Sequence, residues 1–309
     1  MAESRLVQVS RSVHAWIGVG GDSNAGVIDT PRGLVVIDTQ QLPALAHDFR
    51  AEMEETLRKS VRMVVNTHFH LDHVAGNAVF ADVPILAHEK TLALLTAMLG
   101  PRSGAVWTLE GFEQTAKLLW GGNLLDLVPA GAPDLDWFRQ RIGGSDYASI
   151  PIAPPSETFA DRFDIPLDHD VIALRYHGPA HCDGDVIVHL PGEKVAFLGD
   201  LMFYRRFPWM GDCDLDGWID RLRTVLTMDI ETVIPGHGPP TDLAEVARFR
   251  QLFVDLRAKT AEALRWGSSE EAAMVEVHLA QYAHLPRYTQ WRAVNVRAAY
   301  RYLSGRTGA

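Results

Sequence analysis

Apolar positions along the chain fall into two strand-rich stretches, each followed by segments with helical periodicity. Residues 13–19 form an apolar, β-rich run that ends at the turn Gly20-Gly21-Asp22. Residues 24–29 and 33–38 then flank Thr30-Pro31-Arg32, which reads as a hairpin connection. Residues 43–59 predict an amphipathic helix, because Leu45, Phe49, Met53 and Leu57 recur every four positions. A short buried strand over 62–66, another over 84–87 and a helix over 88–99 complete the first stretch. The second stretch has strands over 171–176, 185–190 and 194–198, a helix over 214–228, a strand over 232–234 and a long helix over 242–266. The C-terminal remainder, ending in 288–303, is also helical in character.

The intervening segment reads differently. From 100 to 156 glycine and proline are frequent, with Trp107, Phe112, Trp120, Trp137, Phe138 and Tyr147 interspersed. It predicts an insertion of short helices and loops, too small to fold alone, that serves as a lid, a dimer contact or both. We read residues 1–309 as one domain of α/β class, with this insertion and with C-terminal helices over about 241–303. Two sheets face to face, with helices on both outer faces, satisfy the element order. Composition alone does not separate that layout from other α/β arrangements.

The 309 residues are 47% hydrophobic and 22% charged, which excludes disordered, collagen-like and coiled-coil classes. The net charge is −10 and no run of Lys/Arg forms a nucleic-acid footprint, so the expected partner is a small-molecule substrate, with a homodimer a possible assembly. Two cysteines, Cys182 and Cys213, offer no disulfide framework. No apolar h-region opens the chain and no window approaches the ~18 apolar residues of a membrane span, which leads us to expect a cytoplasmic protein.

The chemistry concentrates in Asn66-Thr67-His68-Phe69-His70-Leu71-Asp72-His73. Chance would place such an HxHxDH string in roughly two chains per thousand of this composition. His68 and His70, two apart at the end of a strand, project the same way. Asp72 and His73 lie on the following turn, where the chain can aim them at a second metal. Three later segments place single candidate ligands beside glycine or proline at strand ends: Gly178-Pro179-Ala180-His181, Gly199-Asp200 and Pro235-Gly236-His237-Gly238. Glycine there permits unusual backbone angles and close approach. Imidazole and carboxylate suit zinc well, and iron or manganese acceptably.

The ordered set His68/His70/Asp72/His73, His181, Asp200, His237 resembles the metallo-β-lactamase superfamily and matches its motifs residue by residue. The resemblance implies an αββα four-layer sandwich with two zinc ions at one edge of the sheets. It further implies that His68, His70 and His181 hold one metal, that Asp72, His73 and His237 hold the other, and that Asp200 bridges them. Asp38 matches the family's first motif and is expected to orient a ligand histidine. The implied reaction is attack of a metal-bridged hydroxide on an ester, lactone or thioester carbonyl, with Asp72 available as proton acceptor.

Tyr204, four residues beyond Asp200, is similar in placement to a substrate-binding tyrosine of related lactonases. We expect some of Phe203, Phe207, Trp209, Met210, Trp107 and Trp120 to wall an apolar pocket. Aspartate at position 200 departs from the best-known zinc β-lactamases, which carry cysteine there. It resembles lactonases, hydroxyacylglutathione hydrolases and cyclase-like relatives. The alternatives are a β-lactam hydrolase and a mononuclear iron enzyme like the persulfide dioxygenases.

Overall fold

The computed structural model describes residues 5–18, 23–99, 106–107, 150–151, 153–211 and 213–305. Most of the expected insertion, including Trp120, and the side chain of Trp107 lie outside the described residues. The first sheet has seven strands. They are β1 (Arg5–Gln8), β2 (Val13–Ile17), β3 (Ala25–Thr30), β4 (Gly33–Ile37), β5 (Val61–Val65), β6 (Ile85–His88) and β9 (Glu157–Phe159), adjacent in that order. A two-residue pair, β7 (Val106–Trp107) and β8 (Ile150–Pro151), stands apart. The second sheet runs β10 (Arg162–Pro166), β11 (Val171–Tyr176), β12 (Val186–Leu190), β13 (Val195–Phe203) and β14 (Thr232–His237).

Alternation along the strands builds the layers. In β4, Val35 and Ile37 point into the space between the sheets, while Leu34 and Val36 point outward. Val13, Ile28, Val65, Leu174, Val188 and Phe197 fill the same interior from both sheets. A side chain on Gly26 would collide with the Phe197 ring, so the close approach of the sheets requires glycine there.

The outer face of the first sheet is covered by α1 (Pro43–Leu57), through buried Ala46, Phe49 and Met53, and α3 (Glu89–Leu99) follows β6. Helices α4 (Leu215–Val225), α5 (Leu243–Arg265), α6 (Glu270–Glu276) and α7 (Tyr288–Leu303) cover the second. The result is the αββα sandwich. Asp214, Asp242 and Ser269 each accept a backbone N–H as N-caps of α4, α5 and α6, which explains where those helices start. Among the described residues, no helix is long and apolar enough to cross a membrane.

Three findings depart from the expectations. Strand β13 continues through Asp200 to Phe203 instead of ending at 198, because its pairing with β14 resumes after register shifts around Gly199. Phe207 and Met210 are fully buried in the helical core, so they pack the fold and do not wall a pocket. Strands β9 and β10, between the insertion and residue 171, were not individually expected, whereas α6 falls within the expected C-terminal helices.

Candidate metal centre

Strand β5, apolar except for Arg62, delivers the chain to the edge between the two sheets. There His68 is fully buried and His70 half-buried, with ring centroids 4.8 Å apart. Between them Phe69 points the opposite way, into a small cluster with Val74, Leu95 and Cys182. That alternation plants the histidine pair and ties its loop to the loop of His181. A single helical turn, α2 (Leu71–Val74), then presents Asp72 and His73. Asp200 sits mid-strand, just after Gly199, whose φ of +50° disfavours side chains and whose added Cβ would lie 2.6 Å from Thr67 Oγ1. His237 ends β14, and the place a Cβ on the preceding Gly236 would take is occupied by Asp200 Oδ1.

The structure gathers all seven expected donors into two groups that share Asp200. His68, His70, His181 and Asp200 form one, and Asp72, His73, Asp200 and His237 the other, each with donor atoms within 4.8 Å of one another. The carboxylate of Asp200 divides between them. Its Oδ2 lies 3.4 Å from His181 Nε2 and 3.8 Å from His68 Nε2, while Oδ1 lies 3.1 Å from His73 Nε2 and 3.4 Å from His237 Nε2. Asp72 Oδ2 closes the second group at 3.2 Å from His237 Nε2 and 3.7 Å from His73 Nε2.

The donor set fits metal ions. Nε2 of His68, Nε2 of His73 and Oδ1 of Asp200 are buried and make no well-formed hydrogen bond. Lone pairs left so in a protein interior are costly unless an ion takes them. Burial pushes the Asp200 carboxyl up, but His237 and His73 beside it hold it well below the usual carboxylate range. Burial, with His73 next to it, drives His68 well down, toward the neutral form that ligates.

The family model of the metallo-beta-lactamase superfamily matches residues 18–237. The chain belongs to the metallo-β-lactamase superfamily. Within it the chain is 25% identical over 259 residues to a 2,4-dinitroanisole O-demethylase subunit alpha from Nocardioides sp., covering 82% of this chain and 63% of that one. It is 23% identical over 287 residues to a linear primary-alkylsulfatase from Pseudomonas sp., covering 86% and 51%. The chain therefore spans between half and two thirds of the length of these relatives. The solved structure of a stereoselective inverting sec-alkylsulfatase from Pseudomonas sp. superposes with a TM-score of 0.69 at 18% identity, over 96% of this chain and 50% of the other.

Around this superfamily's group of ligand candidates lies a set of supporting residues. Asp38 adopts φ +57° at the end of β4, a left-handed conformation that aspartate tolerates better than most residues. The turn aims its carboxylate at Thr67 N and Thr67 Oγ1, both at 2.7 Å, and at His73 Nδ1 at 2.9 Å. It thus braces the loop of one group and a ring of the other, as its motif implies. Asp38→Asn places an amide against those donors. We expect it to weaken metal binding by roughly 10–100-fold, measured by competition with a chromogenic chelator.

Sequence reasoning missed three other residues. Asp185 accepts from Cys182 N at 2.8 Å, and burial pushes its carboxyl up to about 7. Arg206 Nη1 lies 2.8 Å from His237 Nδ1, with the guanidinium 4.7 Å above the Trp291 ring of α7. Asn24 anchors the His237 loop from the opposite sheet.

The Tyr204 ring lies against the Arg205 guanidinium and within electrostatic reach of Arg248 on α5. The residue meets the site through its backbone, N–H to His237 O at 2.9 Å. Phe203 stacks on the His237 ring at 4.9 Å and 11°.

Proposed function

We propose that this chain is a binuclear zinc hydrolase that cleaves an ester, lactone or thioester of a small, partly apolar substrate. The observation that carries the reading is the split Asp200 carboxylate, one oxygen facing each group of donors. His68, His70 and His181 would hold one ion, Asp72, His73 and His237 the other, and Asp200 both. Such a pair supplies Lewis acidity, acidifying water toward neutral pH and polarising the substrate oxygen.

The chain's own residues shape the rest. The Asp72 side chain is 34% exposed, against 5% for Asp200, so it stands at the mouth of the group. Burial pushes its carboxyl up, but His73 and His237 hold it well below the usual range. It is therefore an ionised carboxylate, as a metal ligand must be; held that low it is a weak base, so its part as proton acceptor rests on its place at the solvent side. Phe203 behind His237 and Trp218 behind His181 keep water from the rear of the rings. Tyr204, whose N–H bonds the His237 carbonyl at 2.9 Å, is the residue we assign to donate a hydrogen bond to the substrate oxygen.

Elemental analysis combined with a substrate panel tests the proposal. We expect two zinc per chain and turnover of a carboxylic ester, lactone or thioester. A single iron with no hydrolysis, and oxygen consumption with persulfides, would refute it. A second reading, cleavage of an alkyl sulfate ester, is favoured by the similarity to the linear primary-alkylsulfatase over 86% of the chain. Turnover of a long-chain alkyl sulfate with no carbonyl substrate accepted would install that reading instead. A chromogenic cephalosporin belongs in the same panel as the β-lactam arm.

A further inference from the structure

The second group of donors is assembled from both sheets, and something must hold its two halves in register. Asp72 and His73 follow β5 of the first sheet, whereas His237 ends β14 of the second. For the first group a direct link exists: Val186 N at the start of β12 donates to Thr67 O, beside His68, at 2.8 Å. For the second group the corresponding link is the dipeptide Ser23-Asn24, just ahead of β3.

Asn24 is 3% exposed and every polar atom of its side chain is used. Nδ2 donates to Pro235 O at 2.8 Å and to Gly238 O at 2.6 Å, the carbonyls on either side of the Gly236-His237 pair. The backbone N–H donates to Gly236 O at 2.7 Å, so three carbonyls of one ligand loop converge on a single residue of the other sheet. Oδ1 accepts from Gly18 N at 3.0 Å, which fixes the amide orientation. The adjacent Ser23 Oγ donates to Asp72 O, and Ser23 O accepts from Gln40 Nε2 at 3.1 Å. The loop of Gln40 is in turn bound to the α2 segment, through Thr39 N to His73 O at 2.8 Å and Gly76 N to Gln40 O at 3.1 Å.

We infer that Ser23-Asn24 is a positioning clamp for the second metal site: it sets the distance between Asp72 and His237 by bonding the backbone of both loops. The inference rests on the two-metal reading proposed above. Its physical basis is geometric. A 1 Å slip of one loop would move His237 Nε2 out of the 3.2 Å relation it has with Asp72 Oδ2. No other residue type offers two amide hydrogens at that reach: aspartate donates none, and glutamine is one carbon too long. The first group, whose loops are joined through Thr67, Val186 and the Phe69–Cys182 cluster, does not depend on this clamp.

The test is stepwise zinc titration of metal-stripped protein in competition with a chromogenic chelator. Wild type, Asn24→Ala and Ser23→Ala would be compared with Val188→Ala, a cavity variant in the core between the sheets. We expect Asn24→Ala to weaken one of two zinc sites by roughly 10–100-fold while the other changes less than about twofold. Ser23→Ala should move the same site in the same direction by less, and it carries the test if Asn24→Ala does not fold. Val188→Ala should lower the melting temperature without separating the two constants. Two unchanged constants in Asn24→Ala, or two that fall together as in Val188→Ala, would overturn the clamp. A wild type that binds fewer than two zinc ions would instead overturn the binuclear reading itself.

Discussion

Asp200→Ala is expected to leave at most one metal per chain and to reduce kcat/KM by more than the roughly 10²–10³-fold that loss of a single oxyanion-hole donor costs. The reason lies in how the site is charged. Asp200 is the only carboxylate common to both groups, and its two oxygens lie 3.1–3.8 Å from four different imidazoles. Without it, four buried rings face one another with Asp72 alone, at the mouth, to offset two dications. Asp38 cannot substitute, because its oxygens are engaged by Thr67 and His73 Nδ1 on the far side of the ring. Elemental analysis of the purified variant alongside steady-state kinetics checks both halves of the expectation. Full metal content with retained turnover would show that the two groups act independently and that Asp200 bridges nothing.

The same residue marks what was legible beforehand. His68, His70, Asp72 and His73 could be read because all four sit within six positions, where strand and turn geometry decide the direction of each side chain. The later ligands could be read because glycine or proline marks each loop. The layers were legible too, since strands such as β4 are apolar on both faces and helices such as α5 carry their cap and stripe openly. What could not be read depends on contacts remote in sequence. The Asn24–Pro235 bond spans 211 positions, and nothing near Asn24 distinguishes it from an ordinary turn residue. Arg206 meets both His237 and the Trp291 ring of α7, two partners remote from it in sequence. Strand β9 is only three residues long, and β10 alternates over a single pair, Phe163 and Ile165, too brief a pattern to identify a strand. Phe207 and Met210 stand close to the ligands in sequence, yet the C-terminal helices cover them. Phe207 N donates to Pro286 O at 2.9 Å, and Asn295 Nδ2 to Pro208 O at 2.8 Å, so this loop belongs to the core.

Trp218→Ala should be the most destabilising single change in the fold, at about 3–5 kcal/mol, and its damage should fall unevenly on the two groups of ligands. Trp218 is fully buried on α4 and stands between the helical core and the metal centre. One side of the ring packs on Phe253, with centroids 4.3 Å apart. The other side meets His181 at 5.0 Å, and Nε1 donates to Leu201 O, next to Asp200, at 3.0 Å. The start of α4 is fastened to the same loop, since Asp214 N donates to Ala180 O at 2.8 Å. Truncation therefore opens a cavity behind His181, frees the ring to tilt and leaves the Leu201 carbonyl without its donor. The His237 side keeps the stacked Phe203 ring, which meets His181 only edge-on at 5.7 Å. A melting temperature lower by on the order of 10 °C is expected, together with weaker zinc binding at the group of donors that includes His181. The other site should be less affected, the reverse of the pattern expected for Asn24→Ala. Trp218→Phe tests the assignment, because it retains most of the ring while removing the Nε1 donor. It should recover most of the stability and the His181-side affinity. If instead it weakens zinc as severely as alanine does, the hydrogen bond to Leu201 positions the site and the ring packing against His181 does not.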